Sequence, residues 1–213
     1  MFMGATTKEG LNIAEKSRTI VKNKIRQVLG EDKLKSYSSE ELTIMERVVH
    51  ATADEEYAKL LIFKNNPIEN GIEAIKNKKP VVVDVGMVKA GIRYNNLYNF
   101  INDKETYKMA EEEQITRAIA SMRIAKKLID GGVVVIGNAP TALFEVIRLI
   151  NEEGIKPKLV IGAPVGFVKA SESKEALRNT DVPSITTVGP KGGTPVAVSI
   201  ANGIIALSKN KRA

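Results

Sequence analysis

The chain has no cysteine, no tryptophan and a single histidine among its 213 residues. Without cysteine there are no disulfides, no thiolate nucleophile and no Cys-ligated metal. With one histidine, only a carboxylate-dominated metal site remains, and the Asp and Glu residues fall mostly in solvated helical patterns, so no metal is expected. No apolar run reaches the roughly 18 to 20 residues that a helix needs to span a bilayer. The start of the chain also lacks the apolar stretch of a secretory signal. A cytoplasmic protein with no membrane partner is the expectation.

Other absences remove whole classes of activity. No Gly-x-Ser-x-Gly word is present, which excludes a nucleophile elbow of the serine-hydrolase kind. Gly86-Met87-Val88-Lys89-Ala90-Gly91 is followed by Ile92-Arg93 and is therefore no Walker A loop. No Gly-x-Gly-x-x-Gly follows any strand-like run. Five Tyr and five Phe offer few platforms for stacking bases. The formal charge of +7 is spread along the chain in short clusters, such as 76–79 and 209–212. A small polyanion suits that distribution better than nucleic acid.

What the chain does have is organised around residues 133–170. Two short runs of branched residues, 133–136 and 159–161, flank a segment with Leu143, Val146, Ile147 and Ile150 at helical spacing. Strand, helix, strand over this length is a βαβ unit with parallel strands. Both strands end in Gly/Ala/Pro words, Gly137-Asn138-Ala139-Pro140 and Gly162-Ala163-Pro164-Val165-Gly166. Ligands of open parallel sheets sit outside the carboxyl ends of the strands, so these loops mark the floor of a site.

Elsewhere, an amphipathic helical segment runs to Leu29 and is stopped by Gly30. Ser38 and Glu41 form a capping box that starts a helix expected over 39–63, with the stripe Leu42, Met45, Val49, Ala53 and Leu60. A shorter helix spans 68–76, and a β-branched strand follows at 81–85. Residues 86–99 read as a loop. A long helix is expected over 111–129, closed by Asp130-Gly131-Gly132, and another over 169–178. A strand at 184–188 leads through Gly189-Pro190-Lys191-Gly192-Gly193 to a last helix, with Thr194 as cap and Pro195 at its first position. That helix is apolar nearly all round and belongs in the core or in a dimer interface. Strands near 82, 134, 160 and 186 alternate with helices. The fold class is therefore α/β: a single three-layer α/β/α sandwich over 1–213 with a mostly parallel, doubly wound, Rossmann-like sheet.

His50 lies about 80° from the centre of its helix's apolar stripe, at the edge of the buried face. It is either a structural hydrogen-bonding residue or a proton donor, because an imidazole titrates near neutrality. Asp54, one turn later, could orient it. Lys89, Arg93, Lys169, Lys191 and Arg117 lie near the expected ligand edge, as solvated surface or as a ring for a substrate with many carboxylates. The turn at 189–195 is either an anion site at a helix N-terminus or an ordinary strand-to-helix turn.

The words Gly137-Asn-Ala-Pro-Thr-Ala-Leu-Phe144 and Gly162-Ala-Pro-Val-Gly-Phe-Val168 closely resemble those of the precorrin-8X methylmutase family. Met87-Val-x-Ala-Gly-Ile92, Gln114-Ile-Thr-Arg117 and Lys191-Gly-Gly193 match in the same order, and the resemblance covers nearly the whole chain. His50, preceded by Arg47-Val-Val, falls where the family carries its catalytic histidine; Ser17 matches an N-terminal serine more loosely.

The resemblance implies an isomerase of cobalamin biosynthesis that moves a methyl group from C-11 to C-12 of a late, cobalt-containing or metal-free, precorrin-8 intermediate. The shift is a formal 1,5-sigmatropic migration assisted by acid. It further implies His50 as the acid, with Ser17, Arg93, Arg117, Asn138 and Lys191 around the substrate. No separate cofactor is implied, since any cobalt arrives inside the substrate, and a homodimer is expected. Ala51-Thr-Ala-Asp-Glu-Glu56 and Val85-Gly86 depart from the family's usual small-polar and serine words. A corrinoid-binding homologue with altered or lost activity is the alternative.

Overall fold

In the computed structural model, residues 6–210 are described; residues 1–5 and 211–213, and with the latter the end of the basic cluster at 209–212, lie outside them. The helices α1 (Lys8–Leu29), α2 (Glu31–Leu34), α3 (Ser39–Thr52) and α4 (Tyr57–Leu60) lead to strand β1 (Leu61–Lys64). Then follow α5 (Pro67–Lys76), β2 (Val81–Val83), α6 (Gly86–Gly91), β3 (Leu97–Tyr98), α7 (Lys104–Glu112), α8 (Arg117–Ile124) and α9 (Lys126–Ile129). The second half runs β4 (Val133–Ile136), α10 (Pro140–Glu153), β5 (Leu159–Gly162), α11 (Ala170–Arg178), β6 (Ser184–Thr187) and α12 (Thr194–Asn210).

The strands form one six-stranded sheet in the order β1-β6-β5-β4-β2-β3, with every pairing parallel except β1 on β6. Side chains alternate across it as the pleat demands. Val81, Val83, Val133, Val135, Leu159 and Ile161 join the core beneath α1, α3, α5 and α12. Val82, Val134, Ile136 and Val160 join a second core under α8, α9, α10 and α11. The expected α/β sandwich is what the chain forms.

The expected helix over 39–63 stops early. The capping box of Ser38 and Glu41 starts it, but Ala53 is left-handed at φ 53° and ends α3 at Thr52. Residues 61–64 are strand, because the outer edge of β6 offers them a ladder: Leu61 faces Thr187 and Phe63 faces Ile185. Pairing with a partner more than a hundred residues away outweighs a local helical spacing. The long helix over 111–129 is also corrected. Gln114 takes a positive φ of 53°, and the Thr116 hydroxyl accepts from the Ile119 N–H to start α8 afresh. The stretch 86–99 read as loop contains α6 and the short β3. Thr194 lies inside α12 rather than capping it. As expected, α12 is a core helix, with Val196, Ala197, Ile200 and Ile204 buried.

Candidate active site

β2 and β4 are neighbours whose following connections leave over opposite faces, towards β3 and towards β5. Such a switch point is where open parallel sheets usually take ligands. Here the chain fills it with its own carboxylate. Asp84, fully buried at the end of β2, accepts from the backbone N–H groups of Gly137 at 3.1 Å, Asn138 at 2.7 Å and Ala139 at 2.8 Å. Burial pushes its carboxyl up, while those donors favour the ionised form and pull it back. The amides of residues 137–139, in the loop after β4, are thus already bonded within the chain.

The open space lies one helix away. A cavity of about 340 Å³ is walled by α3, the end of α6 and α12, and lined by Arg47, His50, Arg93, Ser199, Asn202 and Lys209 among others. His50 stands exposed at its mouth, not half-buried at the edge of the core as its helical position suggested. Its Nδ1 lies 2.8 Å from the Ser17 hydroxyl of α1. Arg47 precedes His50 by three residues and shares its helix face. Burial lowers the Arg47 pKa, and the Arg93 and Arg18 charges lower it further. Arg47 and Arg93 thus bring two like charges to the cavity wall, while Arg18 is paired with Glu46 at 3.1 Å. Asn202 fixes the α6 side of the wall: its Oδ1 accepts from the Arg93 N–H at 2.9 Å, and its Nδ2 donates to the Gly91 carbonyl at 2.8 Å.

The chain matches the model of the precorrin-8X methylmutase family over residues 12–207. It is 68% identical over 211 residues to the cobalt-precorrin-8 methylmutase of Methanocaldococcus jannaschii, covering 99% of this chain and 100% of that one. It is 47% identical over 210 residues to the cobalt-precorrin-8 methylmutase of Methanothermobacter thermautotrophicus, covering 99% of each. A crystal structure of the precorrin-8x methyl mutase of Thermus thermophilus superposes with a TM-score of 0.82 at 33% identity, covering 93% of this chain and 98% of that one.

The chain belongs to the precorrin-8X methylmutase family. It is an isomerase of cobalamin biosynthesis, an intramolecular methyl transferase.

Within this methylmutase the residues singled out from sequence do not all meet. Ser17, His50 and Arg93 come together at the cavity. Lys191, in the turn after β6, lies past the C-terminal end of the His50 helix, bonded to Asp54 and to Glu56 at 2.6 Å each. These two carboxylates hold its pKa well above the usual lysine value. Asp54 therefore serves Lys191, and the hydrogen-bond partner of the His50 ring is Ser17. Arg117 is in the opposite helical layer, its Nη1 donating to the Tyr107 hydroxyl at 2.5 Å and its guanidinium 4.8 Å from that ring's centre. Asn138 sits exposed in the loop after β4, with its backbone tied to Asp84.

Sequence reasoning passed over Arg47, Asn202 and Asp84. The spacing of Arg47 to His50 was a usable signal, since residues three apart share a helix face. Nothing local marked Asn202 or Asp84, whose partners are remote in the chain.

Proposed function

We propose that this methylmutase acts on cobalt-precorrin-8, moving its methyl group from C-11 to C-12, with His50 as the acid. The observation that carries the reading is the Ser17–His50 pair at the mouth of a cavity flanked by Arg47, Arg93 and Lys209. Substrate and product of a methyl migration are isomers, so a proton lent to the macrocycle must be returned. An imidazole suits that task because it gives and regains a proton near neutrality. In the imidazolium form, with the Ser17 oxygen accepting from Nδ1–H, the Nε2 proton is the one lent to the substrate and then regained. The precursor's carboxylate arms would be received by Arg93 and Arg47 beside His50, and by Lys191, Asn138 and Arg117 farther along the sheet edge.

An isomerisation needs no oxidant, reductant or second substrate, so the reading includes no cofactor, and cobalt enters only within the substrate. The cobalt form is favoured because both methylmutases of methanogens compared above carry cobalt in their names. A homodimer in the cytoplasm is part of the same reading. Support for a covered surface comes from Met87, Val165, Val168 and Phe167, the last 98% exposed. No described helix is long and apolar enough to cross a membrane. Neither nucleic acid nor membrane is assigned as a partner.

Anaerobic incubation of wild type and His50→Ala with cobalt-precorrin-8 and its metal-free counterpart, followed by absorption spectra, tests the reading. Conversion by wild type and loss in the variant support it, and the preferred precursor names the substrate. Binding by both proteins with conversion by neither would establish a corrinoid-binding homologue instead.

A further inference from the structure

Lys174 on α11 is fully buried, with no exposed surface. No carboxylate of the described residues pairs with it; burial, and then the charge of Arg178, bring its pKa down to about 8. A buried ammonium without a counter-ion destabilises a fold relative to a hydrophobic side chain of similar volume. Its hydrogen bonds show where it acts. Nζ donates to the Lys191 backbone carbonyl at 2.7 Å and to the Thr187 hydroxyl at 3.0 Å. The Thr187 hydroxyl donates in turn to the same Lys191 carbonyl at 2.7 Å. That carbonyl is thus satisfied without the ammonium. The second donor occupies its other lone pair and fixes the peptide's orientation.

The rest of the turn is held as closely. The Gly193 N–H bonds the Ala163 carbonyl at 2.8 Å and the Gly166 N–H bonds the Pro190 carbonyl at 3.1 Å. A Cβ at Gly192 would meet the Pro164 carbonyl oxygen at 2.6 Å, so the turn lies directly on the β5 loop. From this fixed backbone the Lys191 side chain reaches Asp54 and Glu56, just past the helix that carries His50.

We infer that Lys174 is a positioning residue of the site: its buried ammonium fixes the backbone of the β6–α12 turn and so sets where the Lys191 side chain stands. The consequence for turnover rests on the proposed role of Lys191 in binding the precursor's carboxylates; the consequence for the turn does not.

The test is Lys174→Met, which leaves no orphaned carbonyl because Thr187 still donates to Lys191. Thr187→Val, which keeps the ammonium and removes the bridging hydroxyl, is the second variant. Hydrogen exchange at the Gly193 amide, which bonds the Ala163 carbonyl, is expected to quicken roughly tenfold in Lys174→Met, as the loss of one hydrogen bond predicts. The melting temperature should hold or rise. With cobalt-precorrin-8, KM is expected to rise about tenfold while kcat stays within about twofold. Thr187→Val should show smaller changes of the same kind. Unchanged exchange at the turn in Lys174→Met would overturn the inference, as would a fall in melting temperature with KM unaltered. If wild type neither binds nor converts the precursor, the proposed function falls, and the exchange measurement still decides the role of Lys174.

Discussion

The Ser17 hydroxyl lies 2.8 Å from His50 Nδ1, joining α1 to the last turn of α3 across a separation of 33 residues. This bond restrains the rotation of the ring. Removing the imidazole with His50→Ala should lower kcat by about 10²- to 10⁴-fold, the usual contribution of a general acid. If His50 is the acid, as proposed above, Ser17→Ala keeps it but frees the ring, and kcat should fall roughly tenfold with KM little changed. Steady-state kinetics under anaerobic conditions checks both. A Ser17→Ala enzyme with wild-type kcat would show that the bond is incidental.

Asp84 is a structural carboxylate, and its replacement should be felt first in stability. Asp84→Asn offers one oxygen and an amino group to three backbone donors. A loss of about 2 to 3 kcal/mol in urea unfolding is expected from N–H groups left facing a donor. Retention of full stability would mean that the loop after β4 is held by something other than this carboxylate.

Glu145 gives the fold a pH dependence of known sign. Burial alone would push its carboxyl up, but hydrogen bonds from Arg148 and Arg123 outweigh it and hold the pKa below the usual value. Its side chain is 5% exposed, and Arg123 also reaches Glu113 on the far side, tying α7, α8 and α10 together. A carboxyl with a lowered folded pKa contributes stability that is complete above its unfolded value of about 4.3 and is lost as pH falls through the folded one. Glu145→Gln should cost about 2 kcal/mol at neutral pH and flatten that acid limb. Urea midpoints measured from neutral pH down to the acid limb decide it.

The helices α3 and α12 approach closely where Gly203 has no side chain. A Cβ there would collide with Cδ1 of the fully buried Ile44 and come within 3.1 Å of Arg47 Cδ. Gly203→Ala is therefore expected to destabilise by about 1 to 3 kcal/mol, despite the better helix propensity of alanine. Because Arg47 must shift, KM should rise as well. A more stable Gly203→Ala protein would show that the two helices can separate without strain.

If the reaction draws only on the chain's own groups, dialysis against a chelator should leave kcat on cobalt-precorrin-8 unchanged. Loss of activity restored by added metal would overturn the reading that no cofactor is used.

Much of this was legible in the sequence, element by element. The branched runs at 133–136 and 159–161, the helix between them and the capping box at Ser38 are local signals, and each appears where its pattern puts it. The misread stretches had two causes, a remote partner in one and a local left-handed residue with a hydroxyl cap in the other. Residues 61–64 continue a helical spacing but complete the sheet against β6. The break at Gln114 and Thr116 interrupts a segment that reads as one helix.

Chain order and hydrophobic period by themselves determined the α/β class and the parallel sheet, because strand and helix periods are written residue by residue, while the words at 137–144 and 162–168 carried the likeness to the methylmutase family. The tertiary structure alone decided which side chains meet. It gave His50 a serine partner from α1, turned Asp54 to Lys191, and closed the switch point with Asp84. Each of these contacts joins residues that are distant in the chain or point to unexpected partners. Its free energy depends on distance and burial, and neither is a property of any short stretch of sequence.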